Sequence, residues 1–559
     1  MPSLSCRRHS PWFLALGLAA CAGPRTMPAP AAAEGGAGLA AAESLYAELR
    51  DLRDRYEVAT AGGRSVGALA PRHDSLRARL AVRLAAVDSA GLDGEDARAL
   101  GVMRGTLVRD LTPIGAPGTT TPADSRPDCA YDARAIAAAT GGLDSLRARI
   151  YACYAWAQSH VAVGADTLDR LSVLGALGRT DDPARRRELF LALGPVWTSV
   201  NGDDAPDSPY RRLITLEVGS RGSAEPAAAA QARSSGVPPD SLERWLLSVL
   251  ETWRDATPAD LVEPWDWYWE TGRASRALSP RIPLDRLTGL NAAVYRTLGA
   301  DLRTLRVRYD LVPREGKTPV AFTTFGARAP VIEPWVFATY RTGGLDNLNE
   351  LLHETGHAVH LAAIRTRPAF RDWPDSDPFT EAVAEFIALE VYEPAWQQRW
   401  LGDSVPLAEG LRGRYGGIVL DVAWSLFELR MLREPGADPN AVWTALTRDY
   451  LHIRPHPELS WWAMRGQLVD APGYMLNYAA GAILIAAIRE RTRTLHGPFV
   501  TGDPTWYAWV APRLYRFGLE RPARDVIEEF LGGPVTPEAL LADMRRMGSG
   551  ASSPTGGSP

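Results

Sequence analysis

Five residues, His353-Glu354-Thr355-Gly356-His357, constrain this chain more than any other feature of it. Histidines four apart leave one face of a helix a turn apart, and can hold one metal ion through their ring nitrogens. Glu354 is rotated off that pair. It is close enough to take a proton from a water at the metal, but badly placed to ligate beside both histidines. Gly343-Gly344 break whatever precedes this helix, and Asp346 is the expected cap. Two histidines are not yet a site, because a core helix can satisfy both with ordinary hydrogen bonds. A third ligand has to come from another element.

Residues 377–390 offer it. Asp377 as N-cap and Pro378 at the first helical position open a second helix. Glu381 and Glu385 share one face of it, whereas Glu390 points the opposite way. One carboxylate in the first turn completes a His353, His357, Glu381 set for a single Zn2+, leaving the fourth position open. The other, a turn later, can accept a bond from a ligand histidine. His360, one turn past His357, reads as a group behind the ligands or an ordinary surface histidine.

Upstream, residues 318–325 (TPVAFTTF) and 331–340 (VIEPWVFATY) are short, β-branched and aromatic, and read as strands. Pro334 suits an edge strand, since proline cannot donate to a ladder. An edge beside the metal could pair with an extended peptide.

Residues 379–385 (FTEAVAE) are similar to the helix that supplies the third zinc ligand in the angiotensin-converting-enzyme family, at a similar distance from H-E-x-x-H. Residues 353–360 (HETGHAVH), 334–345 (PWVFATYRTGGL) and 310–317 (DLVPREGK) resemble the thimet oligopeptidase and oligoendopeptidase F relatives, with a weaker likeness over 182–189. The resemblance implies a mainly α, two-lobed helical clamshell with a deep central channel and a small edge β-sheet beside the H-E-x-x-H helix. It implies a zinc metallopeptidase acting on oligopeptides, with Glu354 as general base, Glu381 as third ligand and Glu385 supporting a ligand from behind.

Residues 470–481 (DAPGYMLNYAAG) resemble the tyrosine-bearing segment of both families. The likeness implies Tyr478 as donor to the developing oxyanion, with Tyr474 second. Both families carry a histidine about ten residues before the last tyrosine, where this chain has Leu468. Gln467 or Arg465 could replace it. Losing one such donor costs about 3 kcal/mol elsewhere. A zinc aminopeptidase would want a Gly-x-Met-Glu-Asn strand, which is missing, and a thermolysin-like enzyme would put its third ligand near Ser376. A non-catalytic or weakly active zinc-containing peptide-binding lipoprotein is the other alternative. Glu354 argues against it, because a closed structural zinc site needs no base.

With 559 residues, 46% of them apolar, the chain can bury a large body, expected over 41–547 as two helical lobes. A net charge of -5 without a basic stripe excludes a nucleic-acid binder. Lys317 is the only lysine, so a lysine anchor for substrate carboxylates is nearly excluded. Arg7 and Arg8 ahead of a short apolar run mark an export signal over 1–20. The run ends in Leu18-Ala19-Ala20-Cys21, which resembles a bacterial lipobox and implies cleavage before Cys21 and a lipid anchor on it. With Ala22 following, that places an exported lipoprotein on the periplasmic side of the envelope, at the outer membrane. Residues 21–40 read as a flexible tether and 548–559 as a disordered tail. Cys129 and Cys153 remain. They either close a disulfide, worth roughly 3.5 kcal/mol, or stay as buried thiols on adjacent helices; an oxidising compartment favours the bridge.

Overall fold

The N-terminal helices form because their apolar residues recur at helical spacing and meet in a core of their own. The computed structural model describes residues 35–548 apart from 115–125, 222–228, 230–231, 235, 315–316 and 318–319. In it, α1 (Gly35–Ala61), α2 (Leu69–Ala86) and α3 (Gly94–Arg109) bring Tyr46, Leu49, Leu76, Leu80, Leu84 and Met103 together. The export signal, Cys21 and residues 549–559 of the tail lie outside the described residues. α1 starts at Gly35, so the last part of the expected tether is helical. Leu39, the first bulky residue after the Ala-Gly-Pro run, is buried in this core and extends the helix back towards the N-terminus.

A second, larger core runs from Ala133 to Met547. Within it, α4 (Gly142–Ser159) carries Cys153, which is bonded to Cys129 with Cα atoms 5.8 Å apart. A hairpin of β1 (Val161–Val163) and β2 (Asp166–Leu168) follows, and then α5 (Leu242–Ala256), which buries Leu242, Leu246, Val249 and Leu250. Tryptophans dominate the centre. Trp424 and Trp443 stack at 4.9 Å, and Trp461 meets Trp443 edge-on at 4.8 Å. Trp424 donates its indole N–H to Trp462 O and Trp462 donates to Asn440 Oδ1, while the indole nitrogen of Trp443 has no hydrogen-bond partner among the described residues.

The sheet beside the metal helix has three strands, β3 (Arg308–Asp310), β4 (Phe322–Ala327) and β5 (Glu333–Phe337), in the order β3-β5-β4. β5, expected at an edge because of Pro334, is the central strand. The parallel ladder to β3 covers only Trp335, Val336 and Phe337, and the antiparallel register to β4 shifts between Phe325 and Ala327. Pro334 thus sits at the frayed end of β5, where its missing N–H matters little. β4 is the edge strand on the metal side. Lys317 is a staple, its ammonium bonded to the carbonyls of Asp310, Val312 and Ala338.

Around α6 (Leu345–Ala363) stand α7 (Asp377–Ala388), α8 (Leu407–Arg433), α9 (Leu476–Leu495) and, near the end, the shorter α10 (Glu538–Arg545). With 64% helix and 5% strand, the fold is mainly α with small sheets. Among the described residues no helix is long and apolar enough to cross a membrane.

Candidate metal centre

Gly344, at φ 112°, is a backbone state that suits glycine, and it is the residue from which α6 starts. Asp346, expected as the cap, falls in the first turn instead, where its charge still favours the helix dipole. α7 is likewise capped one residue earlier than expected: Ser376 Oγ accepts from Phe379 N–H, and Asp377 is the first helical residue.

α6 and α7 approach unusually closely, and Gly356 is the reason. A Cβ there would lie 2.5 Å from Ala384 O and 2.9 Å from Ala384 Cα. Contact at that point brings Glu381, one turn before Ala384, against the histidine face. One ligand atom from each of His353, His357 and Glu381 lies within 4.8 Å of the others, and all three residues are buried. Glu381 Oε2 is 3.6 Å from His353 Nε2 and 4.0 Å from His357 Nε2. Ligands at 2.0–2.2 Å from a tetrahedral zinc stand about 3.4 Å apart, so the two separations to Glu381 need only a few tenths of an ångström of adjustment to share one ion.

The surroundings want a cation. His353 Nδ1 faces Glu385 Oε1 at 2.9 Å, which turns Nε2 toward Glu381. Burial disfavours a proton on His353, yet Glu385 and Glu381 outweigh it and hold its pKa well above the ordinary histidine value. Glu354 is buried beside them. Burial pushes its pKa up to about 8, against the pull of His353 and a hydrogen bond from Thr323. Thr323 Oγ1, on β4, is 2.8 Å from Glu354 Oε2, and Oε1 has no hydrogen-bond partner among the described residues.

His360 is neither at the surface nor behind a ligand. It is fully buried among Tyr515, Phe379 and Trp373, with ring centroids 5.1, 6.0 and 6.1 Å away. Burial drops its pKa to about 3, so it stays neutral as a core ring. Glu390 also turns away, to face Arg489 at 2.6 Å.

Tyr478 sits in the first turn of α9, one turn before Gly481, whose position packs against Glu381 Cβ and Pro378 O. Its pKa is raised, by burial first, with Arg465 opposing and the Glu381 charge adding. Tyr474 stands edge-on to it at 5.8 Å. Gln467 Nε2 donates to the Tyr478 hydroxyl at 3.4 Å, and Arg465 lies 5.9 Å from the ring while paired with buried Asp421. Leu468 is fully buried and points no donor anywhere. His452 and His456 face Arg254 O and Glu263, remote from this cluster.

Sequence reasoning missed two contributors. One is Thr323, which holds Glu354 Oε2. The other is a clamp on α8: Glu428 accepts from Gly473 N–H at 2.7 Å and Met475 N–H at 3.3 Å, while Ser425 Oγ donates to Met475 O. The clamp holds the loop that carries Tyr474 into α9. A lone glutamate inside the apolar run 422–432 was the available signal, since a buried carboxylate must find donors.

No family model and no curated protein matches the sequence. The fold is similar to an M32 carboxypeptidase from Deinococcus radiodurans R1, at TM-score 0.54 and 16% identity, covering 92% of this chain and 99% of that one. It is also similar to a solved chain described as CHT, at TM-score 0.52 and 14% identity, covering 91% and 99%. The fold and the His–His–Glu group together define a mainly helical protein with a candidate metal centre.

Proposed function

We propose that this chain is a zinc-dependent metallopeptidase that hydrolyses peptide bonds of oligopeptides. The observation that carries the reading is the convergence of His353, His357 and Glu381 beside Glu354, whose buried Oε1 has no hydrogen-bond partner among the described residues. These three residues would hold a zinc ion, which would supply a Lewis acid to polarise the scissile carbonyl and acidify water. Glu385 keeps the His353 ring turned for that task. Glu354, with Oε2 pinned by Thr323, accepts the proton of the attacking water on Oε1 and passes it to the leaving nitrogen. Tyr478 donates its phenol hydrogen to the carbonyl oxygen as that oxygen gains charge, and Gln467 fixes the phenol's direction. Tyr474 contacts substrate alongside it. An extended substrate lies along β4, the edge strand whose Thr323 touches Glu354.

The motif likeness to the angiotensin-converting-enzyme and oligoendopeptidase F families supports this chemistry. The fold shared with a carboxypeptidase supports trimming from a peptide's C-terminus. Leu18–Cys21 supports an exported lipoprotein tethered by Cys21 to the outer membrane, facing the periplasm.

Metal analysis and peptide digestion together test the proposal. Wild type should hold about one zinc per chain and His357→Ala almost none. Glu354→Gln should keep the metal and lose roughly 10²–10⁴-fold in turnover. Equal zinc in wild type and His357→Ala, or near-normal turnover in Glu354→Gln, would overturn it. Free and C-terminally amidated peptides, read by mass spectrometry, separate C-terminal trimming from internal cleavage.

A further inference from the structure

We propose that a cavity between α9 and α10, away from the metal centre, binds a small molecule through a carboxylate or phosphate group. The cavity exists because the two helices face each other through small side chains. α9 turns Ala486, Arg489 and Arg493 towards it at helical spacing, and α10 answers with Ala539, Ala542 and Asp543. Elsewhere the body is filled by tryptophan and leucine; here a space of about 800 Å³ is left, floored by Glu393 and Arg414. None of His353, His357, Glu381 and Glu354 lines it.

Charge decides what the space can hold. Its lining includes five arginines (414, 489, 491, 493 and 546) against four acids, Glu393, Glu490, Glu538 and Asp543. The side chains of Arg414 and Arg489 are 2% and 1% exposed. A guanidinium removed so far from water costs several kcal/mol unless counter-charge and hydrogen bonds replace the lost solvent. The replacement is incomplete. Arg489 reaches Phe386 O at 2.7 Å and Glu390 at 2.6 Å, and Arg414 reaches Asp543 at 3.1 Å. Yet the Nε–H of each has no hydrogen-bond partner among the described residues. Arg493, one turn beyond Arg489, stands 3.8 Å from Glu490, too far for a hydrogen bond. Burial draws the pKa of Arg489 down to about 10 in spite of Glu390, with the charges of Arg414 and Arg493 adding, whereas at Arg414 the neighbouring carboxylates outweigh burial and hold the pKa up.

An oxyanion with two or three oxygens supplies what is lacking, because planar guanidinium forks bind such groups bidentately. The volume far exceeds a bare ion, and Leu531, Pro534 and the alanines offer an apolar wall for the rest of the molecule. Arg489 also grips the C-terminal end of α7, the helix whose first turns carry Glu381. The occupant therefore meets an arginine that also holds the C-terminal end of α7.

The test uses the full chain with its metal. Thermal unfolding is followed at constant ionic strength while sodium phosphate is titrated in one arm and sodium succinate in the other. In at least one arm the midpoint should rise and saturate, as for a ligand that binds only the folded state; the arm saturating at lower concentration tells phosphate from carboxylate. Arg493→Gln, at a 30% exposed side chain, should raise the half-saturating concentration at least tenfold. Ala539→Leu, which fills the gap, should do the same. His357→Ala should leave the response intact, which separates this site from an anion seated on the metal. No saturation in either arm, saturation unchanged by Arg493→Gln, or loss of the response in His357→Ala would each overturn the proposal.

Discussion

Gly356→Ala adds one methyl group to the ligand helix and tests whether close helix contact builds the metal centre. The new Cβ would stand 2.5 Å from Ala384 O, where ordinary contact begins at 3.4 Å. The obstacle is backbone and cannot swing aside, so α6 and α7 must part by about 0.9 Å at that point. Overpacking of this kind costs roughly 1–3 kcal/mol, and alanine returns about 1 kcal/mol through its better helix propensity. The net loss of stability should therefore be modest, up to about 2 kcal/mol. The metal should feel it more. Parting the helices lengthens the 3.6 and 4.0 Å separations between Glu381 and the histidines, which already stand at the upper limit for one tetrahedral ion. Zinc affinity, measured by competition with a fluorescent chelator, should fall roughly 10–100-fold, the range typical of lost ligand support. Gly417→Ala on α8 is the control. Its Cβ meets nothing within 4 Å, so it should stabilise the fold by about 0.5–1 kcal/mol and leave zinc affinity alone. Unchanged affinity in Gly356→Ala would refute the claim that this contact sets the ligand geometry.

Tyr478→Phe should lower kcat about 10²-fold with little change in KM or zinc content, and Tyr474→Phe should act mainly on KM. If Tyr474→Phe proves the more damaging in steady-state kinetics, the donor is one turn earlier than assigned. Glu428 is held protonated, its pKa pushed up to about 8 by burial against the pull of the Gly473 and Met475 amides. A folded-state pKa above the unfolded value of about 4.5 means that its contribution is full below that value and lost as pH rises through about 8. Denaturant titrations should show wild type losing stability relative to Glu428→Gln between pH 5 and 8, at up to about 1.4 kcal/mol per pH unit; a flat difference contradicts the assignment. Cys21→Ser should release the processed protein from membranes in fractionated cells, and equal membrane association of both forms would remove the lipid anchor.

The motif His353 to His357 gave a helix with two histidines on one face without help from tertiary structure, because a spacing of four residues is a local property of the α-helix. Glu381 and Glu385 were legible for the same reason: their shared face follows from spacing on one element, and the family likeness selected between them. The strands β4 and β5 were readable from their short β-branched and aromatic runs. Local pattern does not carry what one element does to another. Pro334 suggested an edge, and only the short reach of β3 along β5 placed that strand in the middle. His360 followed the ligand face by spacing, yet Trp373, Phe379 and Tyr515 from two other segments close over it and leave it a neutral core ring. Thr323, Glu428 and buried Arg489 gain their roles from partners 31, 45 and 99 residues away in the chain. Helical periodicity is written in neighbours three and four apart. The distance between two helices is set by which small residue happens to lie where they cross, and at Gly356 that crossing turns two histidines and a distant glutamate into one site.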